Sequence, residues 1–488
     1  MALYSIVFPL SKTFFQSIPF IHLFVSSLCI DRVTYITPPI FLPLRSAREI
    51  GVNQRNKIVK HFFVDKLEGI LLRSIGQNGL VRLAINLGAQ KKHSGSVTPC
   101  IAKERETVVI LLEGIRILEL ARQYPGPYCT MLLADLGAEV LKVERPGIGD
   151  PAREVPDFFR SINRNKKSIT LDLKISAARE ILYRLVKRYD VFFEGYRPGV
   201  TNRLGIDYET LRKINPGLIY CSISGYGQEG PYRDLPGHDF NYMGMAGMLN
   251  CFRDKEGNPV EPGVAIGDLS SGMFAAIAVL AALIGRGKTR QSHYIDVSMF
   301  DGLLSWMSTN FGMFFGTGQL EIDVFRDPGY GIFKAGKGGA FALGVAHEDW
   351  FWDRLCASIG MEKYVGIRAE ERRKRVKELR GKLQSVFLER PRNEWIKLLR
   401  DVDVPISPVQ TPEQVVADPH VNFREMIQSI SLSSGESLKQ VSFPVRFSNK
   451  QQTIRMPPPE LGEHTEEILE WIGVSKDEVA QLKKDGCI

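Results

Sequence analysis

The sequence predicts an α/β fold: a Rossmann-like large domain on a parallel sheet, with a smaller α+β domain inserted toward its C-terminal side. Three observations predict it. From Gly114 onward, short apolar runs of strand length alternate with amphipathic helical stretches. Each strand–helix–strand unit takes about 30 residues, the length that a crossover between parallel strands requires. Near Gly329 the composition changes to a glycine-rich hairpin and then to charged helices, which marks a second unit.

In order along the chain, GIRILEL at 114–120 reads as a buried strand, PYCTMLLADLGA at 127–138 as a helix with a glycine cap at Gly137, and EVLKVE at 139–144 as the next strand. SITLDL, the helix around AAREILYRLVKRYD, VFFEGY and LIYCSISGYG continue the alternation. LSSGMFAAIAVLAALIG at 269–285 reads as an apolar helix too short to cross a bilayer, suited to a core or a subunit interface, and HYIDVSMFDG as a strand. GIFKAGKGGAFALGV then forms a hairpin, and the charged stretch Glu370 to Arg380 is expected to be a solvated helix face. HTEEILEWIGVSKDEVAQL closes the chain with two short helices. A second, smaller domain is the economical reading of the change in composition near Gly329.

Charge and cysteine usage exclude several functions. Of 63 basic and 55 acidic residues, 14 and 6 fall within residues 1–110, so the remainder carries 49 of each and is neutral. No basic footprint for nucleic acid remains in the folded bulk. The seven cysteines are scattered and never spaced as C-x-x-C, which argues against a disulfide framework or a zinc site and fits a reducing, cytoplasmic location. No metal is expected. The turn after the first strand, ARQYPGPYC, lacks G-x-G-x-x-G, so a dinucleotide is not supported. GRGKT at 285–289 imitates the end of a P-loop, but the first glycine of that motif would fall on Ala282 inside a helical pattern.

Residues 1–110 form a basic, partly apolar extension. Its longest uncharged run, Thr13 to Ile30, contains Pro19, Gln16 and His22 and makes a poor membrane span or secretory signal. A membrane is not expected among the partners. No methionine occurs between Met1 and Met131. The extension is therefore expected to be an appendage, in part or whole translated upstream sequence with a start near Val108 to Leu112.

Several segments carry chemistry. LLEGIRILELARQYPGPYCTMLLADLGAEVLKVERPG, KKSITLDLK, SGYGQEGPYRDLPGHDFNY, GDLSSGMFAAIAVLAAL and PISPVQTPEQVVADPHV together resemble the family III coenzyme A transferases (CaiB/BaiF), and most nearly their α-methylacyl-CoA racemase branch. The resemblance runs from about Leu111 to the last twenty residues. It implies a Rossmann-like large domain with 111–325 as its first part, a small domain at 326–425, a C-terminal segment at 426–488 that returns to complete the large domain, and an interlocked homodimer.

Asp268, in AIGDLSSGM, stands directly before a long helix, where an aspartate also serves as an N-cap for stability alone. The resemblance implies that it is the essential carboxylate: a nucleophile that forms a mixed anhydride in transferases, a proton acceptor from the α-carbon in racemases. His238 in PGHDFNY belongs to the residue type that titrates near neutrality. In the racemase branch the matching histidine faces the aspartate across the α-carbon, serving the S epimer while the aspartate serves the R. Asp239 is expected to fix the geometry, and Glu348 in GVAHEDWF matches a family glutamate that pairs with the catalytic histidine. For the coenzyme A moiety, Arg145 in VERPG falls at a strand end, where such sheets bind ligands. The resemblance adds Leu171, Asp172, Leu173 and Lys174, then Arg197, Gly237 and Tyr242. The expected substrate is an acyl-CoA thioester, with no cofactor beyond its CoA moiety. The implied activity is racemisation of 2-methylacyl-CoA, with CoA transfer through an Asp268 anhydride as the alternative. A catalytically silent scaffold is disfavoured by the joint presence of His, Asp and Glu candidates.

Overall fold

The computed structural model describes residues 110–488 except 255, 290, 319–326, 433 and 449–451. The readings placed on residues 1–109 lie outside the described residues, as does the junction expected at 325–326.

Six strands make one all-parallel sheet: β1 (Arg116–Glu119), β2 (Glu139–Glu144), β3 (Lys166–Thr170), β4 (Val191–Glu194), β5 (Ile219–Ser224) and β6 (His293–Ser298), in the order β3-β2-β1-β4-β5-β6. That is the doubly wound order in which the chain starts in the middle of the sheet and grows outward to both edges. Helices α1 (Pro125–Asp135), α2 (Pro156–Ile162), α3 (Ser176–Val186), α4 (Val200–Leu204), α5 (Tyr208–Ile214), α6 (Asp239–Met245), α7 (Ile266–Thr289), α8 (Met299–Trp306) and α9 (Ser308–Thr317) follow in the same stretch of chain.

Alternate strand residues feed two apolar layers, because side chains along a strand point to opposite faces. Leu118, Leu141, Phe192 and Tyr220 pack with Ile181, Leu182 and Leu185 of α3 and with Leu211 of α5. Ile117, Val140, Val191, Phe193 and Ile219 pack with Leu133 of α1, Val279 of α7 and Leu303 of α8. Both faces are covered, so neighbouring apolar residues of one strand enter opposite layers.

The second unit holds an antiparallel sheet, β7 (Tyr330–Lys334), β8 (Ala340–Gly344) and β9 (Ile406–Pro408), with helices α10 (Asp349–Ser358), α11 (Ala369–Lys374), α12 (Val376–Phe387) and α13 (Arg392–Asp401). Its core stacks Phe333, Phe341, Phe387 and Trp395 edge to face. Then come α14 (Pro412–Val416), α15 (Pro419–Phe423) and the hairpin β10 (Ile427–Ser431) with β11 (Ser437–Val441). Finally α16 (Thr465–Trp471) and α17 (Lys476–Lys484) return to the parallel sheet: Ile468, Leu469 and Leu482 join the α3 layer, and Thr465 Oγ1 accepts the backbone N–H of Thr170 at 3.2 Å.

Four local expectations change. MFDG of 299–302 opens α8 instead of ending β6, since Ser298 caps the helix by accepting the N–H of Asp301. Leu171 to Lys174 lies beyond the end of β3, where Asp172 turns the chain. The apolar helix α7 has 24 residues, enough by length and composition to cross a membrane; Ala275, Ala276 and Val279 are instead buried in the large-domain core. The Glu370–Arg380 stretch is not a uniformly solvated face. Arg372 is fully buried, with Nε 2.8 Å from Asp327 and Nη1 2.6 Å from Asp349.

A buried ionic cluster ties β1, β2 and β3 together. Lys142 Nζ lies 3.1 Å from Glu119 and 2.8 Å from Asp150, Lys166 Nζ lies 2.9 Å from Glu119, and Thr130 donates to Glu119 at 2.8 Å. Burial pushes the Lys166 ammonium down to about 8, against the opposing pull of Glu119. Glu119→Gln leaves two buried ammonium groups short of one carboxylate. The expected loss of stability is roughly 3–5 kcal/mol, read from the urea midpoint; a loss below about 1 kcal/mol would show that the cluster is held by hydrogen bonds alone.

Candidate active site

The chain leaves β1 toward α1 on one face of the sheet and leaves β4 toward α5 on the other. Between these two neighbouring strands lies the crevice at which doubly wound sheets bind ligands. Here Ala121 and Arg122 follow β1, and Tyr196 and Arg197 follow β4; these four residues line both halves of one cleft, of about 500 and 540 Å³. Close packing shapes it. A Cβ on Gly126 would sit 2.2 Å from the Cβ of Ala121 and 3.1 Å from Phe193, so α1 can start this near β1 only with glycine there. Glu194 steadies the opposite wall by accepting the N–H of Tyr196 at 2.7 Å.

The first half of the cleft is lined by Tyr124, His238, Asn241, Tyr242 and Asp268 among others. His238 directly precedes α6, and its N–H donates to Asn241 Oδ1 at 2.9 Å, which closes the first turn. Asp268 lies in the first turn of α7, not ahead of the helix as an N-cap. Its backbone N–H is satisfied from elsewhere: Asp239 Oδ1 accepts it at 3.0 Å. Asp239 thus joins the starts of α6 and α7 and fixes His238 and Asp268 on one frame. The other oxygen of Asp239, Oδ2, is buried without a hydrogen-bond partner among the described residues.

Electrostatics follow from that packing. Burial, and then the neighbouring charge of Asp239, push the Asp268 carboxyl up to about 7. Asp239 is itself raised by burial against the backbone hydrogen bonds it accepts from Asp268 and Gly267. The Tyr242 phenol is pushed up to about 12 by burial, with Tyr226 and Asp268 adding to it. A carboxyl near 7 exchanges a proton readily at neutral pH, the condition a general acid or base needs.

The second half is basic and lies between the ends of β2, β3 and β4. Arg145, Leu171, Asp172, Leu173, Lys174, Arg197 and Arg203 line it. Arg145 and Asp172 stand 3.4 Å apart, and the N–H of Asp172 donates to the carbonyl of Cys487, so the extreme C-terminus shapes this wall. Arg122 is stacked 5.2 Å over the ring of Tyr196 at the junction of the halves. Guanidinium and ammonium groups over a groove suit phosphate oxygens.

A family model described as CoA-transferase family III matches residues 112–465. The chain belongs to CoA-transferase family III. Among curated proteins it is 33% identical over 389 residues to the human α-methylacyl-CoA racemase, covering 77% of this chain and 97% of that protein. It is 34% identical over 406 residues to an acyl-CoA transferase of Fusarium pseudograminearum, covering 77% and 88%. It is 33% identical over 379 residues to the mouse succinyl-CoA:glutarate CoA-transferase, covering 73% and 85%. Among solved structures, a CaiB/BaiF family protein from Brucella suis superposes with a TM-score of 0.66 at 31% identity, covering 74% of this chain and 99% of that one.

For this family III chain, then, the structure gathers His238 and Asp268, joined through Asp239 behind them, at one end of the cleft and Arg145 and Leu171–Lys174 at the other, with Arg197 lining both. Gly237 and Tyr242, expected beside the coenzyme, lie in the His238 half, where Tyr242 donates to the carbonyl of Gly237 at 2.5 Å. Among the described residues no hydrogen bond or ion pair joins Glu348 to His238, and Glu348 is not among the residues that line the cleft. It stands before α10 in the small domain with Oε2 buried and lacking a hydrogen-bond partner among the described residues, 3.7 Å from His347. Sequence reasoning missed Arg122, Tyr124 and Arg203. The first two were findable, since they occupy the turn after the first strand of a doubly wound sheet.

Proposed function

We propose that the protein interconverts the epimers of 2-methylacyl-CoA thioesters by proton transfer at the α-carbon. The observation that carries this reading is the pair of proton acceptors, His238 and Asp268, facing one cleft and tied through Asp239. Anhydride chemistry at Asp268 needs no second base. Epimerisation does, because the proton must leave one face and return to the other.

The thioester acidifies the α-hydrogen. For the R epimer the Asp268 carboxylate takes that proton, a planar enolate forms, and the imidazolium of His238 delivers a proton to the opposite face; for the S epimer the roles exchange. The basic half of the cleft holds the CoA phosphates, and a proton transfer between two side chains asks for no cofactor beyond the CoA moiety. Glu348, whose buried Oε2 has no hydrogen-bond partner among the described residues, pairs with a His238 in the interlocked homodimer. Exposed apolar residues on α7 to α9, among them Ile277, Ile284, Trp306 and Phe315, support such a dimer.

Several curated relatives named as CoA-transferases, at identities close to that of the racemase, favour a second reading in which Asp268 attacks the thioester carbonyl. One tube separates the two. A single epimer of a 2-methylacyl-CoA is given to the protein in D₂O with free succinate and glutarate present. The expected result is α-deuterium incorporation with loss of optical purity. An inert α-position with CoA passing to the free acids would establish the transferase instead.

A further inference from the structure

We propose that the acyl chain of the substrate runs past Tyr124 into an apolar trough between α1, α2 and the β10–β11 hairpin, and that the site accepts long apolar acyl groups. This rests on the acyl-CoA reading of the cleft. The trough is a hollow of about 670 Å³, and Tyr124 is the residue that lines both it and the His238–Asp268 half of the cleft. The Tyr124 ring is held edge-on by Phe158 at 5.0 Å and by Tyr128 at 6.4 Å. One helical turn after Asp268, α7 presses against α1: a Cβ on Gly272 would lie 2.7 Å from the carbonyl oxygen of Pro125 and 3.0 Å from the ring of Tyr128. The carboxylate and the mouth of the trough therefore share a wall.

The trough walls carry Tyr128, Met131, Leu132, Ile162, Leu438 and Val441. Of its charged residues, Arg164 is buried and committed, 2.7 Å from Asp135 and bonded to Gln440 at 3.2 Å, while Asp157 and Lys439 are exposed. A second carboxylate on the acyl group would lose hydration there without gaining a buried cation. A methylene chain loses water at no such cost, and each methylene buried should tighten binding about fourfold.

Affinities of CoA thioesters from 2-methylpropanoyl to 2-methyldecanoyl, and of succinyl-CoA, are measured on Asp268→Asn protein, which lacks one of the two bases that epimerisation needs and the carboxylate that an anhydride needs. Dissociation constants should fall steeply with chain length, and succinyl-CoA should bind no better than 2-methylpropanoyl-CoA. Val441→Glu and Val441→Trp alter an exposed wall residue of the trough; each should collapse the long-to-short affinity ratio at least tenfold while the thermal transition stays cooperative. A flat series in the parent protein, or an unchanged ratio in both variants, overturns the trough as the acyl site. If the variants change subunit association and leave the ratio alone, a second copy of the chain covers the trough and the proposal also fails. Because no turnover is needed, a protein that binds long chains but never epimerises overturns the racemase reading alone.

Discussion

His238→Ala should stop epimerisation, by about 10³-fold or more, yet leave exchange running on one epimer. With the imidazole gone, Asp268 can still take the α-proton of the R epimer, trade it for deuterium from solvent, and return it to the same face. The R epimer should therefore incorporate deuterium with its configuration retained. The S epimer, whose α-hydrogen faces the missing base, should stay protonated. Proton NMR of each pure epimer in D₂O, with chiral analysis of the recovered acyl group, reads both outcomes. Exchange of both epimers at similar rates would mean that His238 is not one of two opposed bases. If the variant keeps CoA transfer to free acids at wild-type rate and the wild type never exchanges, His238 is incidental and Asp268 works alone as a nucleophile.

Much of this architecture was legible because it is written in local patterns. The runs RILE, EVLKVE and VFFE are short, place apolar residues at adjacent positions and are separated by helices, so a parallel sheet covered on both faces was the economical solution for burying them. The positions of Arg145 and Arg197 followed from the same pattern, since both come just after strands. What escaped depends on partners distant in sequence. Asp268 reads as an N-cap because the cap rule sees only the adjacent chain; in the folded protein Asp239, 29 residues earlier, accepts the N–H that a cap would accept, and Asp268 is released into the first turn. Arg372 reads as one more charge on a solvated helix, and its burial is set by Asp327 and Asp349, which arrive from outside its helix. Tyr124 looked like a turn residue; its place between a cleft and an apolar trough comes from α7, α2 and a hairpin some 300 residues downstream.

Asp268→Asn should have the opposite effects on activity and on stability. Epimerisation should fall by about 10³-fold or more, with deuterium now entering only the S epimer through His238. The folded protein should become more stable at pH 8. Asp268 is raised to about 7 by burial and by Asp239, above the ordinary aspartate value near 4. The folded chain therefore binds this proton more tightly than the unfolded chain does, and the resulting stabilisation is full below about pH 4 and lost as pH rises through about 7. Asparagine keeps the neutral form at every pH, so the gain over wild type should reach on the order of 2–4 kcal/mol at pH 8 and shrink toward zero near pH 4. Thermal unfolding of both proteins across that range measures it; an equal or lower midpoint for the variant at pH 8 would mean that the carboxylate is stabilised where it stands. The same shift shapes catalysis. Epimerisation in either direction uses the state in which the two bases share one proton, so kcat/KM for both epimers should trace one bell with a limb near pH 7. A transferase that needs only the Asp268 carboxylate would instead climb through about pH 7 and level off.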